Sequence, residues 1–222
     1  ARQARIEARI DGAPVPVTQV LSDDLAADEL DALEFQPVTA TGTYLADEEV
    51  AHRNRDLDGQ GGFDWLTPLV LDDGTAVLVR RGFVPPSQVA GAEPTVAPPP
   101  AGEVTVWGWL ELSGEQPGFG PTDAATGTLE TVFQADVDRI EQQSSVDLLP
   151  MVLHLAEQSP SQDGDLPVPQ PVPEVDLTQN LSYAVQWFVF TAIVGGGYVI
   201  VLWRKWGQRV DLDAEDEVGA PA

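Results

Sequence analysis

The sequence predicts a membrane protein with a β-rich (α+β) extracytoplasmic domain followed by a C-terminal transmembrane helix. Three observations support this fold class. No charged residue occurs from Leu177 to Trp203, basic residues follow that stretch directly, and short runs rich in β-branched and aromatic residues precede it. We therefore expect four parts: the domain at residues 1–159, a proline-rich stalk at 160–176, the transmembrane helix at 177–206 and an acidic cytoplasmic tail at 207–222.

The uncharged stretch is long enough to cross a bilayer as a helix. Residues 184–203 read AVQWFVFTAIVGGGYVIVLW, and only Gln186 and Thr191 among them are strongly polar. A helix of this length rises about 30 Å, which matches the hydrocarbon thickness of a bilayer. Aromatic residues at both ends favour a spanning helix over a buried helix of a soluble core. These residues are Tyr183, Trp187, Phe188, Trp203 and Trp206.

The charges that flank the helix predict its orientation. Arg204, Lys205 and Arg209 follow it, whereas Glu174 and Asp176 precede it. Because positive charge stays on the cytoplasmic side, we expect residues 1–176 outside the cytoplasm and the C-terminus inside. The expected location is the plasma (inner) membrane of a bacterium.

Composition excludes several classes of function. The net charge of −25 repels phosphate backbones, so we expect no nucleic-acid partner. The absence of cysteine excludes disulfides, CxxC redox chemistry and iron–sulfur ligation. One methionine and two histidines leave no soft-ligand cluster for copper, and no glycine-rich nucleotide motif is present. We therefore expect neither a metal site nor a catalytic site.

The domain is predicted to be mostly strands. An Asp73-Gly74 pair predicts a two-residue hairpin turn, because both residues tolerate positive φ. A short helix is expected to open at Ser22-Asp23-Asp24, with Leu25, Leu30 and Leu33 on one side, and a second at residues 136–143. Four runs read as strands: residues 38–45, 65–71, 76–84 and 103–112.

Two further segments are less regular. The proline-rich runs at 94–100 and 160–173 predict extended connectors. The N-terminal ARQARIEARI has a basic and apolar helical pattern. It is read either as a solvated helix face or as the continuation of a membrane helix ahead of Ala1.

The three glycines of the uncharged helix predict a partner surface. Each glycine costs about 1 kcal/mol relative to alanine in a soluble helix, so close approach of another helix is favoured over tolerated lipid exposure. We expect Gln186 to find its hydrogen-bond partner on the same face. The predicted partner-binding residues are Tyr183, Gln186, Trp187, Thr191, Ala192, Gly195 and Gly196.

Three groups of residues follow one another in the order of a known family. They are Gly42 and Tyr44; the hairpin positions Pro68, Gly74, Arg81, Gly82 and Pro85; and the helix start NLSYAVQWF at residues 180–188. In this order they resemble the surfeit locus protein 1 family, assembly factors of haem–copper cytochrome c oxidase. The resemblance covers roughly residues 38–206.

The resemblance implies two membrane helices around one outward β-rich domain, without enzymatic activity. The N-terminal one of these helices is expected to be missing from this sequence, with Ala1 just past it. The resemblance also implies maturation of the haem-bearing catalytic subunit, with haem a as the suspected cargo. Asn180 stands where the family often has histidine, and an amide is a poor iron ligand. We therefore expect no stably bound haem and a helper or retained-subunit role.

Two interpretations of individual side chains remain open at this point. Arg81 could make a bidentate contact with a haem propionate, but an internal salt bridge is favoured. A surface or sheet-edge position is favoured for His52 and His154 over a catalytic or ligand role.

The predicted function is a non-enzymatic assembly or accessory factor of an aa3-type oxidase. Its partners would be the oxidase catalytic subunit, neighbouring respiratory subunits and membrane lipid. The alternative is a membrane-anchored adaptor module of the cell envelope, unrelated to respiration.

Overall fold

The structure, a computed structural model, describes Arg9, residues 12–89 and 96–170, and the backbone of residues 177–216. In the last range, side chains are described at Tyr183 and residues 185–203. Most of the N-terminal helical pattern, part of each proline-rich connector and the last six residues of the tail lie outside the described residues. The chain divides into two units, residues 1–173 (the β unit) and 174–222.

The described part of the β unit contains eight strands and three helices. The strands are β1 Val15–Pro16, β2 Pro37–Tyr44, β3 Val50–Leu57, β4 Gln60–Leu71, β5 Ala76–Val84, β6 Glu103–Leu112, β7 Thr131–Val132 and β8 Leu148–Ser159. The helices are α1 Ala27–Leu33, α2 Pro86–Val89 and α3 Val137–Glu141, and 3-10 turns lie at Val17–Gln19 and Ala46–Glu48.

Five of the strands close into a small barrel. The order around it is β2-β6-β8-β5-β4, and the ring closes because β2 also pairs with the end of β4. Only β5 and β8 run parallel within this ring. Closure depends on Gly42, since a Cβ atom there would lie 2.0 Å from the carbonyl oxygen of Val70. The motif glycine therefore has a direct packing reason.

Alternate residues of the barrel strands build two separate cores. On β5, Val77 and Val79 belong to an inner cluster drawn from all five ring strands. Side chains of α1 and of the 3-10 turn Val17–Gln19 cover the rim of this cluster. Ala76 and Leu78 face outward. Ile140 of α3 and Val132 of β7 cover them there. Both faces of β5 are therefore buried. Full burial of a large apolar side chain such as Leu78 stabilises the folded state by about 1.5–3 kcal/mol.

The predicted strands are confirmed as β2, β4, β5 and β6, with β4 beginning earlier, at Gln60. The second predicted helix is confirmed as α3, where Asp136 accepts a hydrogen bond from Arg139 N. The first begins at Ala27 and not at Ser22, because the Ser22 hydroxyl donates to Asp24 instead of capping a helix. β3 and β8 were not predicted.

The two Asp-Gly pairs of the β4 region form different turns. Asp73-Gly74 lies in a three-residue loop, because Leu71 N donates to Thr75 O, and only Gly74 has positive φ there (90°). The predicted two-residue turn is therefore wrong at this site. Asp58-Gly59 joins β3 to β4 with positive φ at both residues (54° and 80°), which is the two-residue type I′ geometry.

Residues 160–170, assigned by the sequence to a stalk, contact the barrel. Val168 pairs with Phe83 of β5 through two backbone hydrogen bonds of 2.8 and 2.9 Å. Gln162 and Gln170 make the further contacts described below.

The second unit contains one long helix, α4, Leu177–Asp216. It includes the predicted transmembrane range and continues into the predicted tail. The segment Val185–Trp203 has a mean hydropathy of 1.9 and is not buried by the rest of the chain. It is long and apolar enough to cross a membrane.

Candidate functional site

A row of polar and aromatic side chains crosses the outer face of the sheet where the α3 cover ends. Sheet register makes its members neighbours: His52 opposes Asp64, and His154 opposes both Arg80 and Trp109. We call this set, with Glu111, the polar row. Its members come from five strands, β3, β4, β5, β8 and β6. All are buried except Glu111, which is partly exposed.

Arg80 is the centre of the polar row. Its Nη1 donates to Asp64 Oδ2 at 2.7 Å, and its Nη2 lies 2.8 Å from Glu111 Oε2. Arg55 donates to the same Asp64 oxygen at 2.8 Å, and Gln170 Nε2 donates to the other at 2.7 Å. Two guanidinium groups thus face two carboxylates, and the four charges balance.

Both imidazoles of the row are held in the neutral form. Arg80 Nη1 lies 3.2 Å from His52 Nδ1, so Nδ1 accepts, and Nε2 donates to Phe133 O at 3.2 Å. Burial, together with the charges of Arg80 and Arg55, lowers the pKa of His52 to about 3. Burial and the same arginines lower the pKa of His154 to about 3. His154 stacks on Trp109 with ring centroids 4.2 Å apart.

Some polar atoms of the row lack hydrogen-bond geometry. Among the described residues, Arg80 Nε, Glu111 Oε2 and His154 Nδ1 are buried without a hydrogen-bond partner. Glu111 Oε2 keeps its ion pair with Arg80, and Gln170 and the Leu155 backbone lie close to His154. Each unsatisfied group costs roughly 1–3 kcal/mol, so the row depends on its remaining pairs.

The polar row corrects the expectation for the two histidines. Both were expected at the surface or at a sheet edge, but they are 5% and 7% exposed. The described residues hold no cluster of three metal-ligating side chains, since a guanidinium occupies the middle of the row. The arrangement therefore ties five strands together and leaves its imidazoles no open side for a ligand.

Arg81 lies on the opposite face of β5 and is fully buried. It pairs with Glu49, and its Nη2 donates to Ala97 O at 2.9 Å and to Gln162 Oε1 at 3.3 Å. The Tyr44 ring lies 5.8 Å from its guanidinium carbon. Burial raises the pKa of the Tyr44 hydroxyl well above its usual range. The favoured internal salt bridge of Arg81 is confirmed, and the family-motif residue Tyr44 lies beside it.

Gly82 permits the close approach of residues 166–169. Its φ is +142°, and a Cβ atom there would lie 2.2 Å from Val168 O. Gly74 supplies the positive φ of the β4–β5 loop, as described above. Pro68 lies in β4, and Pro85 accepts a hydrogen bond from Gln88 N at the start of α2. These motif positions shape the backbone around β5.

The predicted partner residues all lie in α4. At about 100° per residue, Thr191, Gly195, Ala192 and Gly196 lie within an arc of about 140°. Trp187 lies about 40° beyond this arc, and Tyr183 and Gln186 lie about 80° beyond its two opposite edges. Gln186 lies about 180° from Gly195 but about 20° from Gly197, so its place on a common partner face stays a prediction. Thr191 Oγ1 donates to Trp187 O at 2.9 Å, and Gly195 and Gly196 have open space around them. The Asn180 side chain lies outside the described residues.

Most members of the polar row could not be predicted from the sequence. Asp64, Trp109 and Glu111 have no pattern of their own in the sequence. The signal that could have found Arg80 is the Arg80-Arg81 pair inside AVLVRRGFV, an otherwise apolar strand. Two adjacent strand residues point to opposite faces, so burial of the strand implies two separate buried guanidinium groups.

The sequence was compared with known proteins. The SURF1 family model matches residues 1–192. The chain belongs to the SURF1 family. It is 33% identical over 198 residues to a SURF1-like protein of Mycobacterium tuberculosis (strain ATCC 25618 / H37Rv), covering 87% of this chain and 69% of that protein.

Two relatives extend the SURF1 comparison to eukaryotes. A SURF1-like protein of Monosiga brevicollis is 29% identical over 198 residues, covering 84% of this chain and 73% of the relative. The cytochrome oxidase assembly protein SHY1 of Saccharomyces cerevisiae is 31% identical over 88 residues, covering 39% of this chain and 22% of the relative. The family resemblance seen in the motifs is therefore confirmed.

Proposed function

We propose that this SURF1-family chain is a non-enzymatic assembly or accessory factor of a haem–copper (aa3-type) cytochrome c oxidase. The observation that carries the proposal is the family match over residues 1–192, joined to a yeast relative named as a cytochrome oxidase assembly protein. Its partners are the oxidase catalytic subunit and neighbouring subunits of the respiratory complex.

The chemistry of the β unit supports a role without catalysis. In the described part, two buried guanidinium groups are paired with carboxylates: Arg80 with Asp64, and Arg81 with Glu49. Both imidazoles are buried, and burial holds their pKa near 3, so neither serves as a general base in contact with a substrate. Such pairing stabilises a scaffold.

The helix α4 is proposed to anchor the protein in the plasma membrane and to bind the partner. Its apolar segment, Val185–Trp203, leaves every described side chain exposed, so lipid or another helix covers it. The side formed by Thr191, Ala192, Gly195 and Gly196 carries little bulk, which allows close helix–helix packing. The β unit lies outside the cytoplasm in this proposal, as the basic residues after Trp203 favour.

Haem a is not proposed as a stably bound cofactor. The imidazoles of the described residues, His52 and His154, face Arg80 and Trp109 in the polar row and do not fit an axial ligand. Asn180 offers an amide in place of the imidazole common in the family. The chain therefore acts on the oxidase through protein contacts in this proposal.

The test is co-purification of the full chain with the oxidase in mild detergent. We expect wild-type protein to bring down oxidase subunits, and Gly196→Leu to insert and fold but to lose them. Trp203→Leu is the matched control in the same helix, and we expect near-normal association. Recovery of envelope or transport components without oxidase subunits from the wild type would refute the proposed function. Normal association of Gly196→Leu would move the binding surface to the β unit.

A further inference from the structure

Within residues 12–170 of the described β unit, exposed positive charge is confined to one cleft. Residues 10–170 contain five basic side chains, all arginine, against 28 acidic ones. Arg80, Arg81 and Arg139 are buried, at 2%, 0% and 6% exposure. The remaining two, Arg53 and Arg55, line an open cleft with Gly61, Gly62, Phe63 and Pro86.

Arg53 is held in place by neutral groups. Its Nε donates to Thr131 Oγ1 at 2.8 Å, its Nη2 contacts the same hydroxyl, and its guanidinium carbon lies 5.2 Å above the Phe133 ring. Within the described residues no carboxylate pairs with it. An exposed guanidinium is thus oriented but not neutralised, in a protein with a net charge of −25.

The local backbone presents both arginines to this cleft. The β3–β4 register shifts between His52 and Arg55, and Asn54 has a φ of +58°. Such a bulge re-aims side chains and often lies beside a binding site. Arg55 keeps one carboxylate partner, Asp64, which it shares with Arg80. Gly61 leaves open space on the other wall of the cleft.

We propose that this cleft binds a carboxylate side chain carried by a peptide segment of a partner protein. One uncompensated guanidinium suits one carboxylate, and Phe63 and Pro86 provide apolar contacts for neighbouring residues of the peptide. Polyanions such as nucleic acids and anionic membranes fit poorly, because the surrounding acidic surface repels high negative charge. The site is independent of the helix surface proposed above, so it does not rest on the identity of the oxidase.

The test is equilibrium dialysis of the full chain in non-ionic detergent. The probe is the ¹⁴C-acetylated tetrapeptide amide Phe-Glu-Pro-Ala, and its Gln counterpart removes only the charge. We expect the Glu peptide to bind about five- to tenfold more tightly, as for an oriented charge-assisted contact. Arg53→Gln should abolish this preference. Gln19→Glu changes the net charge equally at an exposed turn outside the cleft and should keep the preference.

Two results would overturn the proposal. One is equal affinity for the Glu and Gln peptides in the wild-type chain, or a preference that survives in a folded Arg53→Gln variant. The other is tighter binding of inorganic phosphate, with displacement of the Glu peptide, since this would identify a phosphate site. Near-ultraviolet circular dichroism confirms that each variant is folded.

Discussion

Lowering the pH from 7 to 5 should destabilise the β unit, because His52 and His154 are buried as neutral imidazoles. Burial, then the charges of Arg80 and Arg55, lowers the pKa of each to about 3, against 6.5 for an ordinary histidine. Between these values the unfolded chain binds more protons than the folded chain. The free energy of unfolding therefore decreases as the pH falls through 6.5 toward 3.

The size of the effect follows from the distance between pH 5 and the unfolded pKa. At that pH the unfolded imidazole lies about 1.5 units below its pKa, and the folded imidazole is still neutral. At about 1.4 kcal/mol per unit, each histidine costs about 2 kcal/mol, and the pair about 4 kcal/mol. This is a large part of the roughly 5–15 kcal/mol that stabilises a typical domain.

The assay is urea unfolding of the full chain in non-ionic detergent, followed by fluorescence of Trp65, Trp107 and Trp109. Relief of acidic repulsion on protonation opposes the histidine effect, so the informative quantity is a difference between variants. His52→Gln/His154→Gln should be less stable at pH 7 but should show about 4 kcal/mol less acid destabilisation. The same pH dependence in wild type and double variant would refute the neutral, buried imidazoles.

Three other predictions test the backbone, the topology and the haem expectation. Gly82→Ala should destabilise the β unit by more than about 2 kcal/mol in thermal unfolding, because its Cβ would meet Val168 O, whereas Gly74→Ala, with open space, should cost about 1 kcal/mol. Equal losses would contradict this. Protease added to wall-stripped cells should digest residues 1–176 and spare the tail, and digestion of the tail alone would reverse the proposed orientation. Purified protein should bind haem a weakly, as judged by absorbance, and Asn180→His should strengthen binding; stoichiometric low-spin haem in the unmodified protein would contradict this.

The strands that sequence patterns revealed are those with clear boundaries and β-branched residues. β5 and β6 were predicted at their observed limits. β8 was missed because LLPMVLHL is apolar on both faces, so it has no period that distinguishes a buried strand from a buried helix. Its parallel pairing with β5 requires a long crossover connection, which leaves no local signal.

β3 was missed for the opposite reason. VAHRNRDL is polar in its second half, where it pairs with β4 as a hairpin and a bulge interrupts the alternation. The Asp58-Gly59 pair joins β3 to β4 through a two-residue turn. At Asp73-Gly74 the same dipeptide forms a longer loop, so dipeptide identity alone does not determine turn length.

Three consecutive residues of β5 fix the end of the β unit that leads toward α4. Arg80 and Arg81 point to opposite faces and hold Asp64 and Glu49 respectively. Asp64 in turn accepts from Gln170, Arg81 donates to Gln162, and Gly82 leaves room for Val168.

Residues 160–170 are thus attached to β4 and β5 at three points, two of them through buried charges. A single substitution at Arg80 would leave Asp64 with Arg55 and Gln170, and one at Arg81 would leave Glu49 with Thr67. Loss of either guanidinium leaves a carboxylate with weaker partners, whereas a side chain at position 82 displaces the backbone itself. The short Arg-Arg-Gly sequence therefore has a structural reason that needs no ligand: it holds the polypeptide that precedes the apolar helix against the barrel.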